Sequence, residues 1–306
     1  MTPFRAEVAI LIPCHNEEKS IGILLSELIK IFNTNQIFVG LNACTDKTGE
    51  IVKKFDVNTI SENRLGKGNI VRTLFESVES KIYILLDGDA TYGTERILEA
   101  LQYFSQERLT MLIGKRVLEH ENIYPRGHLI GNKVMTFFTN FFLGTRISDS
   151  LSGFRIFSRG FVKTFTLRSE GFEIESDFNS HAAELKGRIS EFPVRYSRRP
   201  EGSFSKLSTF SDGFRITRRI IKLSFRVKPL QSFIMLSLPW LFASVFGIYR
   251  SLNSYFQTGE IPNYPSLIGG VSSFQVFLLL VTCGIIIDRN LRYKSEIIQI
   301  FSRTMH

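Results

Sequence analysis

The chain has 306 residues, 43% hydrophobic and 22% charged, with a formal net charge of +9. This composition excludes a disordered chain and a wholly membrane-embedded one, and the length suits one buried domain of about 200 residues plus an appendage. Cys14, Cys44 and Cys283 lie too far apart for a CxxC pair or a metal spacing, so no disulfide framework is expected and the first two suit a reducing compartment.

No signal peptide is expected, because the first seven residues lead straight into a strand-like run; the N-terminal domain is therefore placed in the cytoplasm. Val8, Ala9, Ile10, Leu11 and Ile12 form a continuous apolar run, the pattern of a buried parallel strand. A helix follows, with Ile21, Leu24, Leu25, Leu28, Ile29 and Phe32 spaced to share one face. Residues 37–41 predict a second strand, 48–55 a helix, 66–79 a helix with a glycine-rich start, 82–86 a further strand and 111–113 a last short one. The alternation predicts a doubly wound α/β domain, whose ligands bind at the carboxyl ends of the strands.

Residues 131–143 predict a helix more apolar than a surface helix needs, suited equally to core packing and to a lipid headgroup region. Between Lys186 and Lys228 stand twelve Lys/Arg against three acids, a local balance of 12 − 3 = +9, which equals the whole excess. This stretch, ending in an amphipathic helix over 212–227, runs into residues 229–249, which carry no charge; residues 261–287 carry none either. Each is long enough to cross a hydrocarbon core, which needs about 20 residues. Anionic headgroups therefore suit the basic stretch, at roughly 1 kcal/mol per basic residue near the surface. Nucleic acid does not, because no aromatic platform or recognition motif accompanies the charge. Basic residues precede the first span and follow the second, while Glu260 is the only charge over 251–266, so both ends are expected in the cytoplasm and the short loop outside.

Three polar loops fall at the predicted strand ends. They are Pro13-Cys14-His15-Asn16-Glu17-Glu18, Asn42-Ala43-Cys44-Thr45-Asp46-Lys47-Thr48 and Asp87-Gly88-Asp89-Ala90. Two carboxylates flanking a glycine at a strand end, Asp87 and Asp89, can hold Mg²⁺ or Mn²⁺, which takes one or two carboxylates plus substrate phosphates. The histidines show no metal spacing.

These loops, together with Gly66-Lys67-Gly68, Asp149-Ser150-Leu151-Ser152-Gly153-Phe154-Arg155 and Ser205-Lys206, occur in an order that resembles the family 2 glycosyltransferases. The resemblance spans about residues 7–210 and is to the polyprenyl-phosphate branch related to dolichyl-phosphate mannose synthase. It implies a GT-A type fold, a UDP- or GDP-linked sugar donor, a polyprenyl phosphate (undecaprenyl or dolichyl) as acceptor, and transfer with inversion. It assigns donor binding to Pro13, Asn16, Glu17, Asn42, Asp46, Lys67 and Asp87, and metal binding to Asp87 and Asp89. Catalytic roles fall to Asp89, Asp149 and Arg116, with Asp149 positioning the acceptor rather than abstracting a proton. Arg116, Arg126, Arg155, Arg199 and Lys206 are the acceptor-phosphate residues; for Arg155 a structural salt bridge is the competing reading. Glu173 and Glu175 stand between site carboxylates and solvated helix-start acids. The second loop departs from the family, which usually opens it with two acids where this chain has Leu41 and Asn42.

The chain is thus expected to divide into a cytoplasmic transferase domain over 1–210, a basic juxtamembrane helix over 211–228 and a two-helix anchor over 229–306, with spans near 230–250 and 267–287, in the plasma membrane. A homo-oligomer is compatible with the family. A sugar hydroxyl as acceptor and a catalytically inactive membrane subunit are the rival readings, the second opposed by the intact Asp87 and Asp89. A processive polysaccharide synthase would carry a Gln-x-x-Arg-Trp motif, whereas the single tryptophan here, Trp240, lies inside the first span.

Overall fold

The computed structural model describes residues 7–118, 126–165, 174–199, 209–260 and 263–304, the side chains at 118, 126–130, 209–213, 215 and 294–304 excepted. The chain divides into two compact units, Met1–Ile220 and Ile221–His306.

In the first unit seven strands form one sheet: β1 (Val8–Cys14), β2 (Ile37–Asn42), β3 (Asn58–Glu62), β4 (Ile82–Leu85), β5 (Met111–Leu118), β6 (Arg155–Ser158) and β7 (Ile189–Tyr196), in the order β3-β2-β1-β4-β6-β5-β7. All seven residues of β1 are buried, because helices cover both faces. Its side chains alternate between two apolar layers. Val8, Ile10 and Ile12 join one layer with α1 (Ile21–Leu28) and α4 (Ile97–Gln106). Ala9 and Leu11 join the other with α3 (Lys67–Ser77), α6 (Arg159–Thr164) and α7 (Ile174–Glu184). Two further helices belong to this unit, the short α2 (Thr48–Val52) and the aromatic-rich α5 (Arg126–Leu143).

The sheet is mixed rather than wholly parallel, which refines the doubly wound expectation. β6 runs antiparallel to both β4 and β5, pairing Leu85 with Arg155 and Ile113 with Arg155. Because β6 runs backwards, its start lies at the edge where β1, β2 and β4 end. That reversal brings residues 149–155 to the three polar loops. Four strands escape the apolar pattern or extend it: β7 (Ile189–Tyr196), with polar Ser190, Glu191 and Arg195 among its residues, was not expected, and three more differ. β3 is a polar edge strand paired only to β2, β6 is hidden inside a motif, and β5 continues past 113 along β7 through Lys115 and Arg116. The helix expected to present Ile29 and Phe32 ends at Leu28; Ile29 is 40% exposed, while Phe32 reaches the core from the turn beyond.

Helix α8 (Thr209–Val227) contains the division between the units. The second unit holds α9 (Pro229–Thr258) and α10 (Tyr264–Thr304), which pack on each other through small residues. A Cβ on Gly247 would stand 2.7 Å from the Ser266 carbonyl oxygen, and one on Gly284 would stand 2.8 Å from Phe233 Cβ. Residues 229–258 and 264–293 are each long and apolar enough to cross a membrane, and they extend beyond the expected spans.

Candidate functional site

The chain leaves β1, β2 and β4 through turns that each contain a non-glycine residue in the left-handed region: Asn16 (φ 51°), Ala43 (φ 45°) and Ala90 (φ 54°). For alanine this conformation is unfavourable and persists only where surrounding contacts enforce it; such strain clusters at functional sites. Here it turns all three loops sharply across one sheet edge.

The first two loops are sewn together. Asn16 Oδ1 accepts from the Thr45 N–H at 2.8 Å, and the Glu17 N–H donates to Thr48 Oγ1 at 2.8 Å. Asp46 Oδ1 accepts from the Thr48 N–H and hydroxyl at 3.0 and 2.5 Å, while Oδ2 accepts from the Glu18 N–H at 3.1 Å. Burial raises the Asp46 pKa, but these hydrogen bonds from Thr48 and Glu18 outweigh it and hold the carboxyl below its usual range. Asp46 is therefore the clamp between the loops. Pro13 is buried near the end of β1, and Glu17 is also buried, its Oε2 accepting from the Ser20 hydroxyl at 3.1 Å.

Asn42 corrects the sequence reading. It is 2% exposed, its Nδ2 donates to the carbonyls of Glu62 and Arg64, and its Oδ1 accepts from the Gly66 N–H at 2.8 Å. With both amide ends occupied inside the protein, it braces the segment that leads into α3.

Lys67, at the start of α3, is the centre of a triad. Its ammonium lies 2.6 Å from Asp87 Oδ1 and 2.8 Å from Glu175 Oε1. Burial pulls the Lys67 pKa down, yet the two carboxylates outweigh it and leave the pKa raised, so Lys67 is a permanent cation. Glu175, 6% exposed on α7, is thereby a member of the site, whereas Glu173 lies outside the described residues. Asp87 can occupy this position because residue 153 is glycine: a Cβ there would stand 2.0 Å from Asp87 Oδ2. The Gly153 N–H donates to the Tyr92 hydroxyl at 2.7 Å, which fixes the loop beneath the carboxylate.

Asp89 is 4% exposed. Its Oδ1 accepts from the Thr91 N–H and hydroxyl at 3.2 and 2.7 Å, and its Oδ2 meets Arg199 Nη2 at 2.7 Å. Burial and then the Asp87 charge push the Asp89 pKa up, with Arg199 and Thr91 pulling it back. The donor set, two carboxylates at one strand end, fits a hard divalent ion whose remaining ligands are substrate oxygens. Among the described residues no group of three His, Cys, Asp or Glu forms a self-sufficient site.

On the other side, Arg116 grips Asp149 as a fork, Nε to Oδ2 at 2.7 Å and Nη2 to Oδ1 at 2.6 Å, with its guanidinium 5.5 Å from the centre of the Tyr196 ring. Asn132 Nδ2 donates to Asp149 Oδ1 at 3.2 Å. Burial raises the Asp149 pKa, but Arg116 overrides it and leaves the carboxyl lowered, which makes Asp149 a weak base and a strong anchor. Glu191 on β7 accepts from the backbone N–H groups of Ser148 and Asp149 at 2.7 and 2.9 Å, holding the same loop.

Arg155 is a second correction. It is 0% exposed, and it donates to Ser152 and Ser150 carbonyls and to Asn179 Oδ1 at 3.1, 2.8 and 2.7 Å. Burial lowers its pKa to about 10. It shapes the loop from within and presents no face to an acceptor phosphate. Arg199, expected on the acceptor side, is placed on Asp89 instead. The side chain of Arg126 and the whole of Lys206 lie outside the described residues. Glu191, Tyr92 and Asn132 carry no local motif in the sequence; only their partners mark them.

Comparison with known proteins fits this geometry. The family model described as glycosyl transferase family 2 matches residues 9–165. An uncharacterized protein of Shigella flexneri is 37% identical over 151 residues, 49% of this chain and 93% of its own length. A dolichyl-phosphate hexose transferase of Haloferax volcanii is 23% identical over 216 residues, 71% of this chain and 93% of its own length. Among solved structures, glucosyl-3-phosphoglycerate synthase from Mycobacterium tuberculosis, in complex with Mn²⁺, uridine-diphosphate-glucose and phosphoglyceric acid, superposes with a TM-score of 0.55. It shares 14% identity, covers 72% of this chain and 81% of its own, and shows a common GT-A fold.

Proposed function

The chain belongs to glycosyl transferase family 2, and from that premise we propose that it moves a hexose from a nucleotide-sugar donor to a polyprenyl phosphate at a membrane surface, with inversion. The observation that carries this reading is the meeting of Asp87, Asp89, Lys67, Arg199 and the Arg116–Asp149 fork at one sheet edge. The archaeal relative named for dolichyl phosphate supports the lipid-phosphate acceptor.

A lipid monophosphate is already an anionic nucleophile near neutral pH, so the site needs alignment and charge neutralisation rather than a strong base. A phosphate oxygen forms the bond to the anomeric carbon as the bond to the diphosphate breaks, and the nucleoside diphosphate leaves with the electron pair. Lys67 supplies fixed positive charge beside the departing group. Arg116, oriented by Asp149, binds acceptor phosphate oxygens together with Arg126 and Lys206. Asp89, with Asp87 beside it, would hold Mg²⁺ or Mn²⁺, which neutralises charge on the leaving diphosphate.

We read residues 229–258 and 264–293 as two spans, with the basic residues of α8 against cytoplasmic headgroups and the intervening loop outside. Purified protein incubated with a panel of UDP- and GDP-sugars and a polyprenyl phosphate tests the activity: a glycosyl-phosphoryl-lipid is expected, and preference for a soluble sugar hydroxyl would overturn the acceptor. An Asn253→Cys variant labelled only from the outer face tests the orientation.

A further inference from the structure

We propose that Arg219 and Asp177 are a positioning pair for the donor side of the site: through Asp177, Arg219 fixes the first turn of α7 and so holds Glu175 against Lys67. The proposal rests on the transferase reading only for the task of Lys67 beside the departing diphosphate.

Helix α8 has two faces. Phe214 and Arg218 are exposed, whereas Ile216 and Ile220 are buried one turn apart, with Arg219 on their side. The Thr217 hydroxyl donates to Met135 Sδ on α5 at 3.5 Å, which sets α8 beside that helix. Arg219 reaches α7 as a fork, Nε to Asp177 Oδ1 and Nη2 to Oδ2, both at 2.9 Å. Asp177 is 5% exposed, and a carboxylate that deep is stable only when a cation binds it with good geometry. Asp177 and Glu175 are two residues apart on α7, about 200° around the helix, so they point to opposite sides. On one side Glu175 Oε1 meets the Lys67 ammonium at 2.8 Å. One turn further along that side, Asn179 accepts from Arg155 Nη1 at 2.7 Å and donates to the Ser150 carbonyl at 3.1 Å. On the other side stands Arg219. The first turn of α7 is thus held from both sides. If the fork is lost, the buried carboxylate turns towards water, rotates that turn and draws Glu175 off Lys67. Lys67 is then left to Asp87, whose side chain is 27% exposed. Among the basic residues of α8, Arg219 is therefore set apart from those that suit headgroups: it points inward and serves the lysine.

The test reads Lys67 itself, with no substrate. The full chain in detergent is acylated at its amines with acetic anhydride, and mass spectrometry gives the rate at Lys67 relative to the exposed Lys53. Held between Asp87 and Glu175, Lys67 should react slowly in the wild type. Arg219→Gln should speed its acylation about tenfold, with the Lys53 rate and circular dichroism unchanged. Asp177→Asn removes the buried charge itself, should act in the same direction, and decides the matter if Arg219→Gln does not fold. Arg219→Lys should recover only part of the protection, because an ammonium lacks the fork. Glu175→Gln should also free Lys67, and adding Arg219→Gln to it should change the rate less than about twofold, since both act along one path. A pair that merely stabilised the fold would add its effect independently. A wild-type rate at Lys67 in either folded single variant, or full additivity with Glu175→Gln, would overturn the proposal. UDP and GDP binding to the same variants is scored separately: unchanged affinity in a protein whose Lys67 is freed counts against the task given to Lys67, not against the pair.

Discussion

In the sheet unit the two apolar layers are built mainly from Ile, Val, Leu and Phe, and the polar groups of the site collect at the strand ends, as Asn42, Lys67, Asp89 and Asp149 do. In α9 the inward positions are Pro229, Ser232, Ser237, Ser244, Gly247 and Ser251, while Phe242, Phe246 and Phe256 stand 70%, 68% and 81% exposed. The difference is the one that the proposed arrangement, one unit in water and the other in lipid, calls for. Water drives apolar side chains into the first unit. Lipid tails exert no such drive, so helices associate there by the close approach that small residues permit. The hydroxyls of Ser237 and Ser251 return to their own helix, to the Ile234 and Gly247 carbonyls at 2.7 and 3.0 Å, while that of Ser232 pairs with the Ser224 hydroxyl on α8 at 2.9 Å.

Breaking the polar edge of the first unit should produce the largest effect. Asp89→Ala is expected to lower turnover about 1,000-fold with circular dichroism unchanged. Full turnover in that variant, or in wild type with excess chelator, would refute the role given to this carboxylate.

Gly153→Ala should come next, because its Cβ would overlap the Asp87 carboxylate at 2.0 Å and push it from Lys67. Turnover about 100-fold lower is expected, since displacements of about 1 Å cost that much. Steady-state kinetics check it, and wild-type values would show that Asp87 needs no fixed position.

The corresponding intrusion in the second unit is Gly247→Leu, which drives a side chain into Ser266 and Gly270. Overpacking of this kind is worth about 1–3 kcal/mol, measured as loss of stability of the hairpin in detergent. Phe246→Leu, on the outward face, should change almost nothing. Equal effects from the two would dissolve the contrast between the units.

The smallest effect is a pH dependence from His181 in the sheet unit. Burial against Phe161 and Phe165 lowers the His181 pKa from 6.5 to about 4. The unfolded chain therefore takes up the proton first, so this contribution is complete above about pH 6.5 and is lost as pH falls through about 4. Stability should drop by about 1.5 kcal/mol from pH 7 to 5 in denaturant titrations, and His181→Gln should flatten that slope.

The three loops, the Asp87-Gly88-Asp89 turn and the two long apolar helices were legible in the sequence, because each is a local pattern: an apolar run followed by polar residues, or a charge-free stretch longer than a bilayer. The expectation failed where a side chain's role depends on what arrives from elsewhere. Asn42 reads in the sequence as a ligand contact and is a brace for residues 62–66; for Arg155 the sequence leaves a phosphate contact and a structural role open, and the fold seals it against Asn179 and the Ser150 and Ser152 carbonyls. Glu191 and Tyr92 had no pattern at all.

By itself the sequence determined the strand-end loops, the family resemblance and the presence of two long apolar helices after the sheet domain, since hydrophobic periodicity and charge are properties of neighbouring residues. Only the tertiary structure decided which polar groups meet. The reversed direction of β6 sets Gly153 beneath Asp87, and the return of β7 and its following residues sets Arg199 on Asp89. In a low-dielectric site the partner at under 3 Å determines whether an arginine grips a carboxylate or holds a loop from within, and that partner is often distant in the chain.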